Sequence, residues 1–557
     1  MHASDVKGAD LMVRALENEG VEYAFGVPGE ENLDFLEALR TSSIKLVVAR
    51  HEQVAGFMAA TYGRLTGRPG VCFSTLGPGA SNLVTPAAFA RLGGMPMLII
   101  TGQKPILHSR QARFQIIDTV SLMRPLTKGA KQILDARNIP TLIRDAFRTA
   151  LEERPGPVHL ELPEDIAAQT ANHVHLVPVT PAQRPVATDR AIAAAAEMIA
   201  ESKHPLVMIG GGANRPGLAP QMSAAVRRLG IPFFNTQMGK GAVDGNSALF
   251  IGTAALSEND YVHAAIGRAD LIVTIGHDTV EKPPFIMRDG GPQVVHIDFN
   301  SADIDQIYFP HVEVIGDIGD SVARLADHLH GQLSQDAGYF MKIREYVLAH
   351  TGEGADDPRF PMAPQRIVAD VRRVMPDDGI VCLDNGMYKI WFARNYRTHI
   401  ANTILLDNAL ATMGAGLASA MMAAMLNPKR RVMAVCGDGG FMMNSQDLET
   451  AIRLGLNLVV LIIDDNGYGM IRWKQAAMGF EDFGLSFSNP DFVRYAEAYG
   501  AKGVLVTASD QLLPALEAAF AAGGVHLVVA PVDYSENKRV LIDELARATA
   551  EFGQSVP

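Results

Sequence analysis

Short apolar runs alternate with helix-like stretches along almost the whole chain, and that alternation admits few folds. Strands separated by helices pair in parallel, so the chain reads as α/β, with mainly parallel sheets covered by helices. The pattern predicts strands over 45–49, 70–74 and 97–101, and a helix over 53–64. It returns near the other end, with strands over 432–436 and 458–463 on either side of a helix over 445–454. With 557 residues the chain exceeds the roughly 250–300 residues that one core supports, so several domains are required.

An internal echo says how those domains are related. Gly156-Pro-Val-His-Leu-Glu-Leu-Pro163 closes the first third, and Gly524-Val-His-Leu-Val-Val-Ala-Pro531 closes the last. Two similar α/β domains flanking a third account for it. Prolines scatter through 172–190, and breakers (Gly352, Gly354, Pro358, Pro361, Pro364) crowd 350–364. Domains are therefore expected over 1–170, 185–345 and 360–545.

The charge balance excludes one class of partner. Net charge is −12 and no basic cluster stands out, so no nucleic-acid partner is expected. The apolar runs are too short to span a bilayer, so no membrane partner is expected either. Cys72, Cys382 and Cys436 lie far apart in apolar runs, which fits buried thiols rather than a disulfide framework or a zinc site. With no apolar signal core in the first residues, the expected location is the cytoplasm.

The most specific chemistry lies in Cys436-Gly-Asp-Gly-Gly-Phe441, followed by Asp464-Asp-Asn-Gly-Tyr468. Each segment follows a predicted strand, and ligands in open α/β sheets sit beyond the carboxyl ends of strands. Asp438 and Asn466 would then lie side by side and offer oxygen, the donor that hard cations such as magnesium prefer. Gly437, Gly439 and Gly440 let a diphosphate approach the backbone, and a helix amino terminus favours its charge. A second signal is Arg50-His-Glu-Gln53, at the end of a predicted strand. Taken alone, Glu52 is an acid at a helix start, where the helix dipole favours it.

Together these segments resemble the thiamine-diphosphate-dependent enzymes, most closely the acetolactate synthases. The likeness runs through Tyr23-Ala-Phe-Gly-Val-Pro-Gly29, Thr75-Leu-Gly-Pro-Gly79, Arg124-Pro-Leu-Thr-Lys128, Val295-His-Ile-Asp298 and Ala411-Thr-Met-Gly414. It implies three α/β domains: a pyrimidine-binding one, a central one, and one that binds the diphosphate and Mg2+. It implies a carboligase that decarboxylates a 2-oxo acid, pyruvate first, and adds the remainder to a second 2-oxo acid. By the same resemblance Glu52 passes a proton to the cofactor's pyrimidine ring, and Pro28 belongs to the cofactor-binding loop. Met413 holds the cofactor bent, and the backbone carbonyl of Tyr468 joins Asp438 and Asn466 on the metal. Gln115 is an active-site amide, and Met470 also touches the cofactor. Phe114, Lys128, Met470 and Trp473 face the substrate. The resemblance further implies a homodimer or homotetramer with its active site between subunits; the motifs point to no particular regulatory subunit.

Three departures matter. The family's usual tryptophan position, four residues after Met470, is Lys474 here, with Trp473 one residue early; Arg472 is a candidate grip for a substrate carboxylate. Where flavin-bearing relatives carry Met-His-Gly and Asp-Asp-Arg runs, this chain has Ile251-Gly-Thr-Ala-Ala255 and Gly276-His-Asp-Thr-Val280, so no FAD is expected beside Gly210-Gly-Gly212. The run Gly26-Val-Pro-Gly-Glu-Glu-Asn-Leu33 resembles non-oxidative 2-oxo acid decarboxylases, the alternative reading, but a paired-histidine motif is missing and His108 stands alone. A non-enzymatic module is disfavoured because Glu52, Asp438 and Asn466 are all present.

Overall fold

The computed structural model describes residues 6–107, 113–181, 183–281, 290–329 and 337–554. Three six-stranded sheets carry the described chain, and every pairing within them is parallel. The first contains β1 (Tyr23–Gly26), β2 (Lys45–Val48), β3 (Gly70–Ser74), β4 (Met97–Gln103), β5 (Gly129–Gln132) and β6 (Pro157–Pro163), in the order β2-β1-β3-β4-β6-β5. The central sheet contains β7 (Pro205–Ile209), β8 (Phe233–Thr236), β9 (Phe250–Ala254), β10 (Leu271–Ile275), β11 (Gln293–Asp298) and β12 (Val312–Ile315), in the order β9-β8-β7-β10-β11-β12. The last contains β13 (Ile380–Leu383), β14 (Ile404–Leu405), β15 (Val432–Gly437), β16 (Leu458–Asp464), β17 (Lys502–Leu505) and β18 (Val525–Pro531), in the order β14-β13-β15-β16-β18-β17.

The first and last sheets thus share one strand order, and the echoed segments are their equivalent strands, β6 and β18. The central order is that of dinucleotide-binding folds. Central strands such as β4 and β16 are apolar runs rather than alternating ones because helices cover both faces of each sheet.

The described chain forms two compact units. One comprises the residues up to 183 with 421–426 and 444–454; the other comprises 184–420, 427–443 and 455 onward, and so holds both the central and the last sheet. Within this second unit, Arg394 donates to both carboxylate oxygens of buried Asp260, at 2.9 and 3.0 Å. Lys240 Nζ donates to the Ala393 carbonyl at 2.9 Å, which ties the central domain to the last one.

Two boundaries differ from the sequence pattern for physical reasons. The helix expected over 53–64 runs Glu52–Thr66, because His51 Nδ1 accepts from Gln53 N at 3.0 Å and caps it, and Gly67 ends it with φ 69°. This helix is buried on nearly all sides, which Gly63 permits: a Cβ there would lie 2.2 Å from the Pro96 carbonyl oxygen. The helix expected over 445–454 breaks into a 3-10 turn, Ser445–Asp447, and a short helix, Leu448–Arg453. There the buried Asp447 carboxylate accepts from Arg50 N and from the Thr450 hydroxyl, both at 2.8 Å.

Candidate active site

The carboxyl edge of the last sheet concentrates acid. Adjacent strands β13, β15 and β16 run into Asp384, Asp438 and the Asp464–Asp465 pair respectively. Asp384 is buried and accepts from Asn385 N at 2.7 Å and from Gly414 N at 2.9 and 3.0 Å. Burial pushes its carboxyl up to about 6, against those N–H donors. Asn385 Nδ2 donates to the Thr412 carbonyl at 2.7 Å, so residues at the end of β13 hold both sides of Met413. Lys389, whose ammonium burial lowers to about 8, reaches the Asn408 side chain at 3.2 Å and steadies the same loop.

Asp438 opens the helix Asp438–Asn444 and is buried. Its Oδ1 accepts from Gly439 N at 2.8 Å and its Oδ2 from Asn489 Nδ2 at 2.7 Å. Burial is the main cause that pushes its carboxyl up to about 6. Asp465 is pushed up to about 7, first by burial and then by the charge of Asp438. Its Oδ2 is buried and has no hydrogen-bond partner among the described residues. Gly469 makes room for that oxygen, since a Cβ there would lie 2.3 Å from it. Asn466 takes φ 51° and is exposed; its Oδ1 accepts from Asn489 Nδ2 at 3.4 Å. Tyr468 is partly exposed, and its ring packs against Phe487 with centroids 5.0 Å apart. A Cβ on Gly439 would lie 3.0 Å from both these rings, so a side chain at this second helical position would press on them.

An oxygen-only donor set with one buried, unpartnered carboxylate oxygen fits a hard divalent cation. No group of three or more His, Cys, Asp or Glu side chains reads as a complete metal centre among the described residues. Magnesium takes one or two carboxylates and leaves its other positions to phosphate and water.

The first sheet gathers its candidates at the equivalent edge. Glu52 is 9% exposed and starts its helix; its Oε2 accepts from Asn82 Nδ2 at 2.9 Å. A Cβ on Gly79 would lie 3.2 Å from the other carboxylate oxygen, so Gly79 leaves that face open. Pro28 is exposed in the loop after β1. Gln115 is exposed with φ 59°, and its carbonyl oxygen abuts Gly77, where a Cβ would lie 2.7 Å away. Phe114 beside it is 62% exposed. His108 lies outside the described residues.

Lys128 does not join this group. It precedes β5 at the amino edge of the sheet, where its N–H donates to the Pro157 carbonyl at 2.7 Å and its Nζ to the Glu152 carbonyl. Met470 and Trp473 are half-buried and pack on the core of the last domain, with the Trp473 indole N–H buried and unpartnered among the described residues. Arg472 is engaged by Asp482 at 2.7 Å and by Ser486 at 3.0 Å.

Residues that the motifs did not mark include Asn82, Asp384, Asn489 and an ion pair at the first sheet's edge. There Lys104 Nζ meets Glu31 Oε1 at 2.6 Å, with the side chains 3% and 4% exposed. The one available signal was positional: Asp384 and Lys104 each directly follow a strand or its last residues.

Residues 6–122 match the thiamine pyrophosphate enzyme N-terminal TPP binding domain, 192–325 the central domain, and 384–530 the C-terminal TPP binding domain. An acetolactate synthase of Bacillus subtilis is 32% identical, over 98% of this chain and 96% of its own length. A catabolic acetolactate synthase of Raoultella terrigena is 35% identical, over 95% and 96%. A probable acetolactate synthase large subunit of Methanococcus aeolicus is 31% identical, over 95% and 92%. No helix among the described residues is long and apolar enough to cross a membrane.

Proposed function

This chain belongs to the acetolactate synthase family of thiamine pyrophosphate enzymes, and from that premise we propose that it decarboxylates pyruvate and joins the remaining two-carbon unit to a second 2-oxo acid. It is a carboligase of the acetolactate synthase type. When bound, the cofactor supplies the electron sink for loss of carbon dioxide. The observation that supports the assignment of residues is the buried Asp465 oxygen, without a partner among the described residues, beside Asp438 at adjoining strand ends.

Asp438 and Asp465 would hold Mg2+, with a backbone carbonyl of the turn that contains Tyr468. Asp465 replaces Asn466 in this role because the left-handed backbone at Asn466 accompanies an exposed side chain, whereas Asp465 keeps an oxygen inside. Gly437, Gly439 and Gly440 offer a side-chain-free backbone to the diphosphate at a helix start. Glu52 would face pyrimidine N1′ as the proton-relay residue, with its carboxyl oriented by Asn82. Met413, on the loop that Asp384 and Asn385 brace, would pack against the cofactor when it is bound. Gln115, Phe114, Met470 and Trp473 orient the substrates.

The central domain has the dinucleotide-type strand order, yet we read it as holding no FAD. In support, the Glu281 carboxylate accepts from Gly211 N at 2.6 Å and from the Thr236 hydroxyl, so the glycine turn already faces an anion. The working enzyme is read as a cytoplasmic homodimer or homotetramer in which Glu52 of one subunit meets Asp438 of another.

Incubation with pyruvate, Mg2+ and thiamine diphosphate, followed by NMR of the products, tests the reaction. Acetolactate is the expected product. Acetaldehyde alone would replace the carboligase with a decarboxylase, and unconsumed pyruvate would contradict pyruvate as the donor.

A further inference from the structure

We infer that Asn489 is the positioning residue of the metal end, holding Asp438 as a hydrogen-bond donor and not acting as a ligand itself. This rests on reading the edge of the last sheet as the cation site. Asn489 lies outside both motifs, in Ser488-Asn489-Pro490-Asp491. Its Nδ2 is 2.7 Å from Asp438 Oδ2, 3.0 Å from Asp464 Oδ1 and 3.4 Å from Asn466 Oδ1.

All three neighbours are oxygen acceptors. An amide turned the other way would aim its own oxygen at two carboxylates, so the nitrogen must face inward. An amide nitrogen carries two protons, which match the two shorter contacts and leave the third weak. The amide thereby links carboxylates from adjacent strand ends, β15 and β16, that would otherwise repel each other. A lysine or arginine would link them too, but its full positive charge would compete with a cation. The amide holds the geometry and leaves the negative charge in place.

Asn489 is itself held from both sides. Ahead of it, Tyr468 N donates to the Leu485 carbonyl at 3.0 Å and Phe487 N to the Asn466 carbonyl at 3.4 Å, which lays 485–487 along the turn after β16. Behind it, Asp491 caps the helix Phe492–Tyr499 by accepting from Val493 N at 3.0 Å and Arg494 N at 3.1 Å. With Gly439 N on Oδ1 and Asn489 on Oδ2, Asp438 is gripped at both oxygens. Each oxygen has a second lone pair that remains available to a cation.

The test is Mn2+ affinity in the presence of thiamine diphosphate, read from the free-ion EPR signal, for the wild type, Asn489→Ala and Asn489→Asp. The metal-free melting temperature of each protein serves as the folding control. Asn489→Ala is expected to weaken Mn2+ binding by about ten- to a hundredfold, as loss of a ligand-orienting partner does, with an unchanged melting temperature. Asn489→Asp is expected to bind below wild type as well, because it offers no proton and adds repulsion. Affinity at or above wild type in Asn489→Asp would make residue 489 a ligand and overturn the inference. Unchanged or tighter binding in Asn489→Ala would overturn it also. No Mn2+ binding by the wild type would instead sink the metal reading on which the inference stands.

Discussion

The first and last sheets share a strand order but carry opposite chemistry at equivalent strand ends. Beyond β13, β15 and β16 stand Asp384, Asp438 and the Asp464–Asp465 pair. Beyond the matching strands β1, β3 and β4 stand Val27-Pro28, Thr75 and Lys104, and that lysine is neutralised by Glu31. One edge accumulates carboxylates, whereas the other sets Lys104 between Glu31 and Glu164 and holds its remaining carboxyls with amides, Glu161 by Gln103 and Gln132 and Glu52 by Asn82. A repeated fold thus carries two strand-end edges that differ in chemistry.

Substitutions can break this contrast. The largest effect is expected from Glu52→Gln, which should lower kcat by about 10²–10⁴-fold while calorimetry shows cofactor binding retained; wild-type turnover would remove Glu52 from the chemistry. Asp438→Ala should do the converse, weakening Mg2+-dependent cofactor binding by more than about a hundredfold, as titration of intrinsic fluorescence would read. The parallel Asp465→Ala and Asn466→Ala pair sharpens the metal end, with affinity falling further in the first.

The charge balance at the first edge predicts a stability effect. Lys104→Met leaves Glu31 buried and unpaired, and should cost about 3–5 kcal/mol in denaturant unfolding. The double change Lys104→Met with Glu31→Leu should recover most of that loss, and a double mutant no more stable than the single would show that the pair is not the cause.

A smaller effect separates the echoed strands β6 and β18. His159, on β6, is buried, and desolvation alone lowers its ring to about 3 from an ordinary 6.5. Below pH 6.5 the unfolded state takes up a proton that the folded state refuses, so stability falls as pH drops from about 6.5 towards 3. At pH 5 this term is about 2 kcal/mol. His159→Gln should flatten the unfolding midpoint between pH 7 and 5; an equally steep fall would place the acid sensitivity elsewhere.

Much of this was legible in the sequence where the signal is local. The strands expected over 70–74 and 458–463 appear as Gly70–Ser74 and Leu458–Asp464, because continuous apolar runs between glycines and polar residues leave a buried parallel strand little latitude. Asp438 stood out because glycines surround it. Within Asp464-Asp-Asn466 the spacing does not tell which consecutive polar side chain stays inside; that depends on the backbone turn where the chain leaves the sheet. Asn82, Asp384, Lys104 and Asn489 carry no pattern of their own. Each acquires its role only when distant segments fold together, 30 residues apart for Asn82 and Glu52 and 51 for Asn489 and Asp438.

The claim that the two sheets supply complementary halves of one site is tested most directly by co-expressing Glu52→Gln and Asp438→Ala chains, each inactive alone, and measuring acetolactate formation. If Glu52 of one subunit serves Asp438 of another, mixed dimers contain one intact site, and roughly a quarter of wild-type activity returns. If both residues must come from the same chain, the mixture stays as inactive as its components, and the account of a site shared between subunits is wrong.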